Sequence, residues 1–561
     1  MKKPAGKLWH FMGGLHLPDH KDVSTRTPIQ QLGIPGRLVI PLQQHIGEPA
    51  EVLVRAGDRV SKGQIIARAS GYYSASIHAS TSGTVVDTIE QPIAHPSGLS
   101  APCIIIKPDG DDRWGKLPPQ QDYKKLTPST LRSLIREAGI VGLGGAGFPT
   151  FIKLNPGARH EIDTLILNGA ECEPYISCDD MLMRERAEDV IQGLIIMRHA
   201  LQAKRCLIGI EENKQEAYDA MRLATHALGV ADVEVIMIPI LYPTGGEKQL
   251  IRILTGLEVP HDGLPIDVSV AVHNVATAAA VYDAVEKSQP LISRVVTVTG
   301  DGVHGQGNAS VLIGTPIQEL IEQFGGYTDK AQRLIIGGPM MGFTVSSDQI
   351  PVTKTTNCIL VASPQETSPP DTHYPCIRCG DCMDVCPVSL LPQQLYWYAR
   401  ARDFDKLQNY HLFDCIECGC CAYVCPSQIP LVQYYRFAKT AIWEQERSRS
   451  KSSLARQRFE FREDRLEQEK RERAERMRKK KAALNKPKAG SDANEDPKKA
   501  AIKAALERVK KKQATRGVEK TNVDNLTPDQ QGKIQQINER RATTQVPAQN
   551  GQTDQADKPG T

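Results

Sequence analysis

Residues 376–426 constrain this chain more than any other stretch. They begin Cys376-Ile-Arg-Cys379-Gly-Asp-Cys382-Met-Asp-Val-Cys386-Pro387. After a spacer comes Cys415-Ile-Glu-Cys418-Gly-Cys-Cys421-Ala-Tyr-Val-Cys425-Pro426. This is the bacterial iron–sulfur run C-x2-C-x2-C-x3-C-P, written twice. Three cysteines two residues apart wrap one tight loop around three irons of a cube. Gly380 and Gly419 relieve crowding where that loop lies against inorganic sulfur. The fourth cysteine starts the next element, points away and serves the other cluster. One [4Fe–4S] cluster is thus assigned to Cys376, Cys379, Cys382 and Cys425, the other to Cys386, Cys415, Cys418 and Cys421. Pro387 and Pro426 close each loop and remove an amide that would need a partner. Zinc sites repeat C-x2-C pairs with four ligands, and disulfide scaffolds belong to short secreted chains, so both readings rank far below clusters. Cys420 breaks the register and reads as a bystander.

The chain has 561 residues, enough for three or more domains. The remaining cysteines need no bridge, and the whole set of fourteen fits a reducing compartment. The start, Met1-Lys-Lys-Pro-Ala-Gly-Lys, has no apolar run behind it and does not read as a signal peptide. The most apolar window, near Val268–Val285, is broken by His273, Asn274 and Asp283, so no spanning helix is expected. The expected state is soluble or peripheral. A net charge of +4 says little about partners.

Residues 1–30 lack apolar periodicity and read as an irregular arm. Residues 31–115 alternate short strands with turns, notably Gly57-Asp58 and Lys62-Gly63. The pair of segments Val52–Ile66 and Ile77–Val86 resembles the half-barrels of lipoyl and biotinyl carrier domains. A carrier keeps its modifiable lysine in the hairpin between the halves. Here that hairpin reads Ala69-Ser-Gly-Tyr-Tyr-Ser-Ala, with no lysine, so a packing or docking module is expected instead.

Residues 125–290 switch to alternating helix and strand signals. Thr127-Pro128 opens a helix with Leu131, Leu134 and Ile135 on one face. Next comes Gly142-Leu-Gly144-Gly145-Ala-Gly147-Phe148-Pro149-Thr150-Phe-Ile-Lys153, a glycine-rich loop running into a helix start. Its amides could approach an anion, with Lys153 reaching back. The strand Thr164–Leu167 then delivers Asn168-Gly-Ala-Glu171-Cys-Glu173-Pro174. A lone glycine-rich loop is a tight turn about as often as a phosphate site, and two carboxylates after a strand are often a solvated loop. Their order is more specific. It resembles the flavin-binding subunit of respiratory complex I and the diaphorase subunits of NAD-dependent hydrogenases and formate dehydrogenases. Tyr242-Pro-Thr-Gly245-Gly246-Glu247 and His273-Asn274-Val275-Ala-Thr277 extend the resemblance.

With the lipoyl-like front and two-cluster rear, the chain resembles the RnfC family of the Rnf (Rsx) ion-translocating electron-transport complexes. The resemblance implies that Gly144, Gly145, Gly147 and Lys153 cradle an FMN phosphate and ribityl chain. It implies that Asn168 and Asn274 hydrogen-bond the flavin or its phosphate, with Glu171 beside the cofactor and Phe148 stacking near the nicotinamide or adenine. Glu173 and Glu247 would line the NAD(H) pocket as catalytic-site residues. Ala170 and Gly246 depart from the family's acidic residues and remove polar contacts there. The implied function is that of an NADH-dependent oxidoreductase component of an ion-translocating complex. It would lie peripherally on the cytoplasmic side of the inner membrane, with the other members of the complex as partners and soluble ferredoxin reached through the complex. The alternative is an electron relay using only the two clusters.

Residues 291–355 read as a small α+β unit resembling the β-grasp module of the complex I relative, with Gly337–Gly342 a turn. Residues 370–440 are expected to form an α-helical two-cluster ferredoxin domain. Its spacer carries helices near Pro392–Arg402 and Phe404–Leu407, with Tyr396, Trp397 and Tyr398 in its core. Residues 441–561 form a charged tail. It pairs Glu467/Arg471 and Glu472/Arg476 at helical spacing, has a second helix near 498–512, and is polar from Gln513. A solvated tail is favoured over lipid docking through Arg478–Lys481. No base-reading pattern accompanies the basic residues, so no nucleic-acid partner is expected. The expected fold is multidomain α/β and α+β.

Overall fold

The apolar strand Thr164–Gly169 anchors a four-stranded parallel sheet, in the order 233–238, 205–211, 164–169, 270–274. Its residues alternate between two cores. Leu165 and Leu167 join the helices Ala187–Leu201 and Val275–Glu286, while Ile166 packs with Leu250 and Leu254 of the helix Glu247–Thr255. A parallel strand buried on both faces needs an apolar run, and Leu165-Ile166-Leu167 supplies it. The computed structural model describes residues 7–120, 122–157, 160–367, 372–484 and 497–515. They fall into two compact units, 1–454 and 455–561.

In the first unit, residues 38–108 form two small antiparallel sheets around Ile40, Ile66, Ile77 and Ile104. A six-stranded sheet follows, in the order 30–31, 307–312, 293–299, 358–362, 333–336, 343–345. Two of its strands lie outside the expected 291–355 limits. Cys358–Ala362 is wholly buried between neighbours, and its unbroken apolar run was the signal for it. Gln30–Gln31 comes from the amino-terminal arm and pairs with Ala309 and Ser310. Gly337–Gly342 is the turn joining Arg333–Ile336 to Phe343–Val345.

The arm is irregular but tied down. Leu15 pairs with Tyr242, Gly14 N–H donates to the Val385 carbonyl, and Ser24 bonds Ser177. Residues 376–442 form two copies of one pattern. The four-residue helices Asp381–Asp384 and Cys420–Tyr423 are each followed by a longer helix, beginning at Pro392 and Leu431. Arg378 and Glu417, Gly380 and Gly419, Ser389 and Gln428 occupy matching places, all at positive φ. Tyr396 is buried, whereas Trp397 is 38% exposed and stands outside the core expected for it.

The second helix of that repeat runs on to Leu484, past the expected boundary at 441. In the second unit, its continuation carries ion pairs such as Arg471–Glu467 at 3.2 Å, and Phe459 and Phe461 are exposed; a further helix runs Pro497–Thr515. The tail expected beyond Thr515 lies outside the described residues. Among the described residues no helix is long and apolar enough to cross a membrane.

Candidate functional site

The parallel sheet has one topological switch point, between strands 164–169 and 270–274, where the chain order reverses. Open α/β sheets bind ligands in the crevice beyond the carboxyl ends of the strands at this point. Asn168 and Asn274 stand there opposite one another in register. Asn274 Oδ1 accepts from the Ala276 and Thr277 amides, capping a twelve-residue helix, while its Nδ2 donates to Asp179. Asn168 Nδ2 donates to the Gly245 carbonyl at 2.8 Å.

The glycine loop borders the same crevice. A Cβ on Gly144 would lie 3.4 Å from Asn274 Cβ, and one on Gly145, at φ +101°, would meet open space. The loop leads into a helix of one turn only, Thr150–Lys153, so its dipole is slight. The longer helix whose amino end faces the loop is Val275–Glu286, and the Thr277 hydroxyl accepts the Leu143 amide. Lys153 forms an ion pair with Glu247 across the crevice. Phe148 is half-buried.

Two predicted residues turn elsewhere. The Glu171 carboxylate accepts from the Asp179 and Asp180 amides, at 2.6 and 3.1 Å, and caps the helix Cys178–Glu185. Burial raises its pKa. Glu173 Oε1 accepts from Met340 and Met341 N–H, at 2.7 and 3.0 Å, on the turn of the six-stranded sheet. Burial again raises its pKa. Gly147 is at φ +65°, with Thr355 Cγ2 2.6 Å from where a Cβ would sit, so this position closes the loop against its neighbours.

The crevice suits a flavin phosphate and its chain. Gly144, Gly145 and Ala146 are exposed, and Lys153 offers an amine. Two buried polar atoms lack partners among the described residues here, Thr150 Oγ1 and His273 Nε2. Burial and the Lys153 charge hold His273 well below the usual imidazole range. Unpaired buried polar atoms of this kind are what a polar ligand satisfies.

The cysteines converge in two groups. Cys376, Cys379, Cys382 and Cys425 line one cavity; Cys386, Cys415, Cys418 and Cys421 line another. Thiolates gathered in fours around small cavities suit iron–sulfur cubes. Burial pushes the Cys382 and Cys415 thiols up to about 11. The groups differ in exposure: Cys379 faces solvent, whereas Cys418 and Cys421 are buried. Cys420, outside the ligand register, packs next to the buried group. It is buried beside Cys418, and its hydrogen bond lowers the Cys418 pKa.

The buried group is turned towards the flavin crevice. Tyr242 Oη donates to the Cys418 carbonyl at 2.6 Å, Gln249 Nε2 to the Pro387 carbonyl at 3.3 Å, and a Cβ on Gly419 would press the Met340 carbonyl at 2.9 Å. Cys172 completes the joint, with Gly245 N–H donating to its Sγ at 3.3 Å. Tyr242 was visible in the sequence as part of the Tyr-Pro-Thr-Gly-Gly-Glu stretch, but nothing in that stretch pointed to a contact with Cys418.

Residues 9–111 match the RnfC barrel sandwich hybrid domain, 135–283 the Nuo51 FMN-binding domain, 295–344 the SLBB domain and 375–429 the 4Fe-4S dicluster domain. The RnfC protein of the ion-translocating oxidoreductase complex of Vibrio cholerae is 49% identical over 517 residues, covering 91% of this chain and 65% of that protein. Its namesake from Serratia proteamaculans is 45% identical over 547 residues, covering 96% and 76%. A crystal structure of an NAD+-reducing [NiFe]-hydrogenase in the H2-reduced state aligns with TM-score 0.40 and 18% identity, over 55% of this chain and 61% of that one. The chain spans about 65% of the length of the Vibrio cholerae relative. With four matched domains in this order and close relatives along nearly its whole length, the chain belongs to the RnfC family of ion-translocating oxidoreductase complexes.

Proposed function

We propose that this chain is the NADH-oxidising, electron-distributing member of a membrane-associated ion-translocating complex. The observation that carries this reading is the joint at Tyr242, where the crevice for a flavin and the buried cysteine group share one loop. When bound, FMN exchanges a hydride for single electrons, and two [4Fe–4S] clusters carry those electrons one at a time.

The chain's own residues supply position and polarity. Gly144–Ala146 and Lys153 would hold the phosphate end; Asn168, Asn274 and Glu247 would border the ring and the nicotinamide. Cys386, Cys415, Cys418 and Cys421 would hold the cluster nearer the flavin, buried against Tyr242 and Met340. Cys376, Cys379, Cys382 and Cys425 would hold the outer one, on the side open to a partner. Glu171 and Glu173 serve the scaffold, holding the amides of a helix start and of a turn. The partners are the other members of the complex and, through them, soluble ferredoxin, with the chain peripheral on the cytoplasmic face of the inner membrane.

A second reading, a cluster relay without flavin, is favoured by Ala170 and Gly246 and by the Lys153–Glu247 pair that occupies the amine. One experiment separates the two. Anaerobically purified full-length protein is analysed for iron and flavin, and its spectrum is followed as NADH is added. Flavin bands bleached by NADH beside about eight irons support the first reading. Eight irons with no flavin bands and no response to NADH leave the relay, and zinc in place of iron removes both.

A further inference from the structure

Two tight turns, far apart in the chain, meet beside the inner cysteine group. The first is Pro260-His261-Asp262-Gly263, closed by Gly263 N–H donating to the Pro260 carbonyl at 3.1 Å. It follows the helix Glu247–Thr255, whose Lys248 amine donates to the same Pro260 carbonyl at 3.2 Å. The second is His411-Leu412-Phe413-Asp414, closed by Asp414 N–H donating to the His411 carbonyl at 3.0 Å over the fully buried Leu412. A turn of this kind makes one revolution in three residues, so side chains three apart lie one above the other. His411 and Asp414 therefore leave it on one side, and His261 meets them there from 153 positions away.

The meeting is close. His261 Nδ1 bonds the Asp414 carboxylate, and the His261 and His411 rings stack with centroids 4.5 Å apart and planes at 22°. Two imidazole nitrogens and one carboxylate oxygen lie within 4.8 Å of one another. Both histidines are exposed, so a hydrated ion can reach them, whereas the Asp414 side chain is only 9% exposed and fixed from below. An ordinary ion pair accounts for His261 with Asp414, but not for His411, whose ring makes no hydrogen bond among the described residues. Asp414 is already shared with the Lys248 amine at 3.5 Å, so it has little charge left for a second ring. Neutral rings instead offer two nitrogen lone pairs beside a carboxylate oxygen. That donor set suits divalent metals that prefer imidazole, and three protein ligands leave room for water. Calcium and magnesium, which take oxygen shells, fit it poorly.

We propose that His261, His411 and Asp414 form a site for a divalent transition metal of the zinc class, completed by water. Asp414 directly precedes Cys415, and His261 follows the helix that begins at Glu247. The ion thereby clips the flavin domain to the segment that carries the inner cysteine group. This does not depend on whether the flavin site works.

Zinc ion is the probe. Full-length protein, purified anaerobically with its clusters, is titrated with Zn2+ by calorimetry, and the bound ion is examined by X-ray absorption at the zinc edge. Iron and flavin content are measured in every variant. One ion per chain is expected, with nitrogen and oxygen neighbours at about 2.0–2.2 Å and no sulfur at about 2.3 Å. His261→Ala and His411→Ala are each expected to weaken binding by more than about a hundredfold, since loss of an outer-shell partner alone costs about ten- to a hundredfold. Iron content should match the wild type. Lys248→Met, which removes the cation sharing Asp414, should tighten binding. Amide exchange across residues 257–264 and 408–414 should slow when zinc is added to the wild type, and not in His411→Ala. Absence of zinc binding overturns the proposal. Sulfur in the zinc shell, or iron released as zinc is taken up, also overturns it, because the cysteines are then the acceptors. Affinity lost in His261→Ala but kept in His411→Ala leaves only the ion pair and overturns the site, and unchanged amide exchange overturns the clip.

Discussion

The Tyr242 phenol donates a 2.6 Å hydrogen bond to the carbonyl of Cys418, a residue of the buried cysteine group. Tyr242 is itself 3% exposed, so this bond lies out of water. Its positive end points at the loop that would carry the inner cluster, and hydrogen bonding of this kind tunes cluster potentials.

Removing the bond should therefore be felt electrically. Tyr242→Phe is expected to lower the potential of one cluster by roughly tens of millivolts, as loss of a bond worth about 0.5–1.5 kcal/mol implies. The other cluster should not move. Redox titration followed by electron paramagnetic resonance measures both; equal shifts in the two, or none, count against the joint.

The crossed cysteine groups make a second prediction. Cys386→Ser lies in the first run but should delete the same cluster as Cys415→Ser. Cys425→Ser should delete the same cluster as Cys376→Ser. Each variant should keep about four of eight irons. Resonance spectra that pair Cys386→Ser with Cys376→Ser instead would refute the crossing.

Lys153 carries a third. Lys153→Met is expected to weaken FMN binding by about ten- to a hundredfold, the loss of a charge-assisted phosphate contact worth roughly 1.5–3 kcal/mol. Iron content should stay at the wild-type level, because the cysteine groups do not touch Lys153. Flavin fluorescence on dilution gives the affinity. Parallel loss of iron would mean general unfolding.

A fourth concerns pH. Lys354 is fully buried and donates to the Ser76 and Gly139 carbonyls, at 2.7 and 2.6 Å, joining the barrel module to the flavin domain. Burial lowers its pKa from 10.5 to about 7. Between these values the unfolded chain binds the proton and the folded chain does not. This residue's contribution to stability therefore rises with pH across that window, by at most about 1.4 kcal/mol per unit, and is flat below about 7. The stability of wild type relative to Lys354→Met, from denaturant midpoints at pH 7 and 9.5, should rise with pH. A constant gap would show that the amine stays charged.

Local chemistry was legible without the fold. Four thiolates round one cube fix spacing over a few residues, so Cys376–Cys386 and Cys415–Cys425 declared their chemistry in one dimension. Thr127 and Pro128 likewise marked their helix start, because a cap is satisfied within three residues, here by the Thr130 amide. Asn168, Asn274, Lys153 and Glu247 were flagged by motif order, and the chain's reversal at the sheet put them round one crevice. Long-range partners were not legible. Glu171 and Glu173 carry the same charge two residues apart, yet each is engaged by a different set of amides, the latter 167 residues away. The meeting of His261 with His411 and Asp414, the arm strand Gln30–Gln31 and the bond from Tyr242 to Cys418 likewise depend on surfaces distant in sequence. Spacing encodes what a short loop can close upon itself; which buried polar group meets which amide is decided only when separate cores pack together.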